Sequence, residues 1–483
     1  MRRPSLRFLA SRKFWQRVAF ALAFLVTAIV VFYQVENARG RATWERYRRE
    51  AVARGVKLDW RDFDPPPVPD AENFAAIPFL RQLGSRDAAV REAAGKLAKL
   101  PSARDGFGNG RDGRPSDLAA ESSLHLRLML GLQDARSGEA VDFEAWRECF
   151  ERSGRLPART DDPAADVLRA MEDFEPILAQ FRAALPRPRN QISGPSERAQ
   201  DADIFYLGDT LSLSRRLGLR IAALLASGRT EEALIDWRVQ YRLAEMFDGQ
   251  PTLLAGMLRV MLTQVAVESV WHGLVREKWT EPQLGAIEAM LREVNLPETF
   301  HHTMASERAF CNSILDEAKA NGAALEIYYS SDRKKLTRYS WLRLVPNGWI
   351  AQNQLRLNEW HDDIFADSPH HTSGELQPWQ LWAPYWFIAG TARYYSGDTR
   401  RVVMTVQGEV DLCRIACALA RFRSRHGAYP ESLGELVPGL LPALPPDRSD
   451  GQSLHYLRTD EGLIVSRHSS DAKEEVVWRL PAL

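Results

Sequence analysis

Sixteen consecutive residues, Val18–Tyr33 (VAFALAFLVTAIVVFY), carry no charge. The seventeen residues before them hold Arg2, Arg3, Arg7, Arg12, Lys13 and Arg17 and no acid. At about 1.5 Å of rise per residue, a helix from Val18 to Val35 covers roughly 27 Å, close to the hydrocarbon core of a bilayer. Trp15 and Tyr33 fall where interfacial aromatics belong, and Arg17 can snorkel to the headgroups. A cleaved signal peptide is the alternative. It needs an apolar stretch of only about 7–15 residues followed by small residues. The one tolerable cut here, Ala38-Arg39-Gly40, is followed at once by Arg41. A buried core helix would not sit at a terminus behind a basic tail. The expectation is therefore a basic cytoplasmic tail over residues 1–13 and a retained single-pass anchor over residues 14–35.

Sidedness rests on a finer balance. Arg39, Arg41, Arg46, Arg48 and Arg49 follow the span and nearly match the cations before it. Glu36, Glu45 and Glu50 dilute that second cluster, whereas nothing dilutes the first. Translocating a short tail of unpaired cations is costly, so the tail is expected inside and the body outside. This places the chain in the cell inner membrane, with its body in the periplasm.

The 483 residues suffice for two to four domains. Lys plus Arg and Asp plus Glu number 63 each, so the chain lacks the basic excess of a nucleic-acid binder and no such partner is expected. Four cysteines, Cys149, Cys311, Cys413 and Cys417, are too few for a disulfide framework and form no CxxC pair. Cys413 and Cys417 stand on the apolar face of a predicted helix and read as small buried hydrophobes. In an oxidising compartment a disulfide from one of them to Cys149 or Cys311 is the alternative.

Helical periodicity runs through most of the chain. A helix leaves the membrane over Arg39–Arg54 and meets Gly55, and Pro65-Pro66-Pro67-Val68-Pro69 forms a stiff spacer. Helices are expected over 73–83, 85–100, 115–135 and 165–185, completing an N-terminal helical region, residues 36–200. Residues 201–300 read as an α-hairpin stack: helices over 211–227, 230–249, 251–276 and 280–294, with short connections. Residues 301–400 are rich in aromatics, with Trp341, Trp349, Trp360, Trp379, Trp382 and Trp386. These can serve as core, as a glycan-stacking surface or as a patch against the membrane. Residues 401–483 read as a small α+β module: a long helix over 402–425 stopped by Gly427, a Ser432–Glu435 capping box, and strands over 453–458, 462–467 and 475–480. The fold class expected is mainly α, with an N-terminal transmembrane helix.

Two resemblances refine this. LGLRIAALLASGRTEEALIDW is similar to one tetratricopeptide-type helix pair, with Leu217, Gly218, Ile221, Ala222, Gly228 and Ala233 near that repeat's small and apolar positions. It implies TPR-like helix-pair architecture. The tail from Ala420, through Tyr429-Pro430, Leu433/Leu436 and the Pro445-Pro446-Asp447 loop to a strand ending at Ser466, resembles the C-terminal part of type II secretion major pseudopilins. Bacterial membrane-anchored proteins that join an anchor, a helical body and such a tail are what the whole chain resembles. That family's calcium loop uses clustered aspartates. Here Asp471 is followed by Ala472, Lys473, Glu474 and Glu475, so no cofactor is expected.

No reaction is legible. Gly108–Gly113 matches GxGxxG but follows helix rather than strand, and reads as a surface loop. Ser331–Lys334 matches SxxK without a partner motif. Five histidines lie between 301 and 371, and His301, His302, His361 and Asp363 are the candidate metal ligands, with Glu307 nearby, yet HExxH and other ligand spacings are missing. The role expected is interaction or scaffolding among envelope or secretion-system proteins rather than catalysis. The alternative is an extracytoplasmic metal-dependent hydrolase acting on envelope glycans.

Overall fold

The computed structural model describes residues 12–85, 87–101, 141–156, 158–192, 207–320, 344–365, 384–385, 388, 399–448, 452–459, 462–467 and 476–481. The tail before Arg12, the GxGxxG and SxxK motifs, the predicted helix over 115–135, His370, His371 and Asp471 lie outside these residues. The same holds for Trp341, Trp379, Trp382 and Trp386.

The protein is mainly helical. Helix α1, Arg12–Ala53, runs 42 residues without interruption. It is long and apolar enough to cross a membrane, with mean hydropathy 2.4 over its most apolar window and none of that window buried. The hydroxyl of Thr27 donates to the Ala23 carbonyl at 2.8 Å, which satisfies the one polar side chain in mid-span. The helix continues through Glu36 and Arg39 to a glycine stop at Gly55, whose φ is +80°. Short helices α2 (Pro78–Leu83), α3 (Ala88–Ala98) and α4 (Phe143–Arg152) follow, then α5 (Pro163–Arg169) and α6 (Glu175–Ala184). The expected single helix over 165–185 is broken between α5 and α6. Pro176, in the first turn of α6, has no N–H to extend an earlier helix, and a 3-10 turn at Glu172–Phe174 bridges the gap.

Next come α7 (Leu207–Ala226), α8 (Thr230–Glu245), α9 (Leu253–Val275) and α10 (Glu281–Arg292). Helices α11 (Leu296–Ala320), α12 (Asn347–Phe365) and α13 (Thr399–His426) complete the helical set among the described residues. Pro297 lies in the first turn of α11, where its missing N–H costs nothing. Strands β1 (His455–Thr459), β2 (Gly462–Arg467) and β3 (Val476–Pro481) form an antiparallel sheet in the order β1-β2-β3. Tyr456 pairs with Val465, and Val465 with Trp478.

By contacts the chain divides into two units. The first holds residues 1–63 and 304–398, and so α1, most of α11 and α12. The second holds residues 64–196, 202–303 and 399–483. At its centre lies α9, apolar enough by composition to cross a membrane but 67% buried over its most apolar window, which marks a core helix. Helices α7, α8 and α13 pack around it. Phe74, Phe79, Phe174, Phe181, Phe247, Leu217 and Leu262 fill the adjoining core.

Buried ion pairs tie these helices together. Asp236 on α8 is fully buried and accepts from Arg182 of α6 and Arg220 of α7, both at 2.8 Å. Glu288 on α10 accepts from Arg292 and, at 3.3 Å, from Arg414 of α13. Nearer the surface, the partly exposed Glu281 takes Arg421 at 2.9 Å and Arg425 at 2.5 Å. Such pairs do little for net stability over apolar packing, but removing one partner strands a buried charge. Asp236→Ala is therefore expected to destabilise this unit by about 3–5 kcal/mol, seen as a lowered thermal midpoint in far-UV circular dichroism. An unchanged midpoint would show that Arg220 finds another counter-charge.

Candidate functional site

The most specific contact set in the first unit lies where α1 leaves its apolar stretch and crosses α12. The buried residues of α1 are Gly40, Trp44, Tyr47 and Ala51, a 4-3-4 spacing that keeps one stripe on one side of the helix. Helix α12 answers with Gly348, Ala351 and Leu355. The backbones meet at the two glycines. A Cβ on Gly40 would collide with the Gly348 carbonyl, and one on Gly348 with the Glu36 carbonyl. Small residues permit this approach, as they do between helices in membranes.

Polar groups fasten the crossing on both sides. The Gly348 N–H donates to Asn37 Oδ1 at 2.8 Å, and Gln352 Nε2 to Thr43 Oγ1 at 2.8 Å. Glu36 Oε2 accepts from Trp349 Nε1 at 3.0 Å and from the Tyr385 hydroxyl at 2.7 Å. Burial and that carboxylate both hold the Tyr385 phenol above its ordinary pKa. The Tyr33 hydroxyl donates to the Leu344 carbonyl, and Phe32 meets Trp349 edge-on at 6.1 Å.

Farther along α1, Asp362 gathers a second network. Its Oδ2 accepts from the Tyr47 hydroxyl at 2.8 Å and from Arg54 at 2.7 Å, and its Oδ1 from Arg308 of α11 at 2.9 Å. Burial, then the Asp362 carboxylate, raises the Tyr47 phenol. Tyr47 also stacks on Trp44 at 5.8 Å. One carboxylate thus joins three segments. The arrangement suits positioning better than proton transfer.

The four candidate metal ligands divide between the units, His301 and His302 in one, His361 and Asp363 in the other. His302 Nε2 lies 3.3 Å from the Gly249 carbonyl. His361 is fully buried, and its Nδ1 lies 2.9 Å from the Leu357 carbonyl. Two residues apart on one helix, His361 and Asp363 point to different sides. Among the described residues no group of three or more His, Cys, Asp or Glu is placed to hold a metal ion. The four cysteines are buried and none is in a disulfide. Burial pushes the thiols of Cys311 and Cys413 up, so they are protonated and inert near neutral pH.

Among the described residues of the second unit are two clefts. One, of ≈ 520 Å³, is lined by Leu433, Leu444, Pro445, Pro446, Leu454 and Tyr456 with His455 at its side. The other, of ≈ 400 Å³, is lined by alternating charges including Arg169, Glu172, Glu175 and Arg220.

Sequence reading placed α1 correctly but missed its partner: α12 falls in the aromatic-rich segment, where no helix was expected. The 4-3-4 spacing of Gly40, Trp44, Tyr47 and Ala51 was the available signal.

Two outcomes follow from this geometry. Gly348→Leu is expected to force the crossing apart, so that a short bismaleimide joining Thr43→Cys to Gln352→Cys loses most of its cross-linking yield. An unchanged yield would contradict the close approach. His361 has its pKa lowered to about 3 by burial, and next by Arg308, against an unfolded value near 6.5. The unfolded chain then binds the extra proton between those values, so stability falls as pH drops from about 6.5 toward 3. His361→Gln should remove about one proton from the slope of stability against pH in that window, leaving the contribution of His272, whose pKa burial also lowers to about 3. No protein family, curated protein or solved structure matches the chain, so its function rests on this geometry.

Proposed function

We propose that the chain is a single-pass, membrane-anchored envelope protein with an interaction or scaffolding role, its tail in the cytoplasm and its body in the periplasm. The observation that carries this reading is the continuity of α1 from its apolar stretch into the glycine crossing. The only tolerable signal-peptide cut, after Gly40, falls inside that crossing. It would detach Glu36, which holds Trp349 and Tyr385, and Asn37, which holds Gly348. A segment whose far end is part of the folded body is retained rather than discarded.

The interaction role is supported by what the sites lack and by what the helices resemble. Asp236, Glu288 and Asp362 each accept from arginines of neighbouring elements, in arrangements that fix helices. The α7/α8 pair supports a TPR-like helix-pair reading, with Gly218 close to Gln240 and Ser269. The long α13, the Ser432–Glu435 capping box and the antiparallel strands that follow fit pseudopilin-like packing in the tail. Envelope or secretion-system proteins are the partners this suggests, and the equal counts of acid and base argue against nucleic acid.

Two measurements test the proposal. The protein purified from membranes should yield N-terminal peptides from before Gly40, and a mature chain beginning at Arg41 would contradict the anchor. Cross-linking in intact cells should recover envelope proteins. Recovery of cytoplasmic proteins alone would contradict both sidedness and role.

A further inference from the structure

The contacts around Tyr33 fix a second piece of the chain at a known depth. Tyr33 stands two residues, about 3 Å of helical rise, before the end of the apolar stretch at Val35. Its hydroxyl donates to the carbonyl of Leu344, so that residue sits beside the outer end of the span. Phe32 packs edge-on against Trp349, which fixes the other end of the same short stretch. The Leu344 side chain is 72% exposed, although it is apolar and lies next to a helix that is itself exposed and apolar throughout its span.

The polarity of the neighbours runs in the right direction. Trp349 lays its ring against Phe32 and turns its indole N–H to the carboxylate of Glu36, one turn farther from the apolar stretch. That is the orientation of an interfacial tryptophan, ring toward hydrocarbon and N–H toward water. Beyond it, Tyr385 donates to Glu36, and the guanidinium of Arg39 lies over the Tyr385 ring at 5.6 Å. Leu344 and Trp349 thus meet Tyr33 and Phe32 at the end of the span, and Glu36, Tyr385 and the Arg39 cation follow farther along α1, the direction from acyl chains to headgroups.

We infer that the turn from Leu344 to Trp349 is a second membrane contact, with the Leu344 side chain inserted among lipid acyl chains beside the exit of α1 from the bilayer. The inference rests on the anchor reading, since without a membrane around Val18–Val35 there is no surface for Leu344 to enter. Its consequence is that the first unit rests on the membrane at two points, the emerging helix and the head of α12. A body held at two points cannot pivot freely about the anchor, so the orientation of this unit to the membrane is set by the fold.

Site-directed spin labelling of the full-length protein tests this in vesicles of phosphatidylcholine with a minority of phosphatidylglycerol. The native cysteines are buried, so nitroxide goes to an introduced one. Leu344→Cys, Val31→Cys and Val52→Cys are labelled separately, each at an exposed position. Collision with oxygen is compared with collision with a water-soluble nickel chelate. Leu344→Cys is expected to read as lipid, with oxygen favoured as at Val31→Cys, and with the opposite sign from Val52→Cys. A Leu344→Cys label that reads as water while Val31→Cys reads as lipid overturns the second contact and leaves the anchor standing. If Val31→Cys also reads as water, the anchor reading fails and takes this inference with it.

Discussion

The first unit depends on two helix backbones meeting without side chains between them. Gly40 and Gly348 are ordinary helical residues, and what they supply is space: a single methyl at either position would strike a carbonyl of the opposite helix. That approach lets Asn37 reach the Gly348 N–H and lets Glu36 collect both Trp349 and Tyr385. It also sets the separation at which Trp44, Tyr47 and Ala351 fill the small core beside it. Widen the crossing and the hydrogen bonds and that core are lost together. Because the same helix carries the apolar stretch, that stretch and the fold of this unit share one structural element.

The second unit is held differently. Its central helix is apolar on most sides and is covered by neighbouring helices, and the arginine-rich surfaces of those neighbours are neutralised by buried carboxylates. Asp236, Glu288 and Asp411 each serve arginines from more than one element; Asp411, for example, takes Arg448 at 2.7 Å and Arg414 at 3.5 Å. These carboxylates fix which helix lies beside which.

Much of this was legible from local chemistry. The apolar run behind a basic tail reads directly as a spanning helix, and Gly55, Gly228, Gly249 and Gly427, all at positive φ, mark where helices stop. The capping box at Ser432 and Glu435 is equally local. What could not be read is what depends on residues far apart in the chain. Glu36 and Trp349, or Tyr47 and Asp362, are brought together only by the fold, and no periodicity in one segment reports its partner in another. Helix α12 was hidden because its buried face is largely polar. Gln352, Asn353, Gln354, Asn358 and His361 are all buried there, so the apolar stripe that betrays an amphipathic helix is missing. The histidines are ligand-type residues, yet His361 is a packed, fully buried core residue, and the carboxylate beside it in sequence, Asp362, is the one that organises its surroundings.

The central claim is that one unbroken helix runs from the span into the folded body. Hydrogen–deuterium exchange on the full-length protein in lipid nanodiscs tests it most directly, read over the amides of residues 36–53. Slow exchange continuous from the span to the tyrosine and alanine stripe is the result predicted, because each amide is helical and the segment is clamped against α12. Rapid exchange across Glu36–Arg41, with protection only beyond it, would mean a flexible linker between anchor and body and would contradict the account.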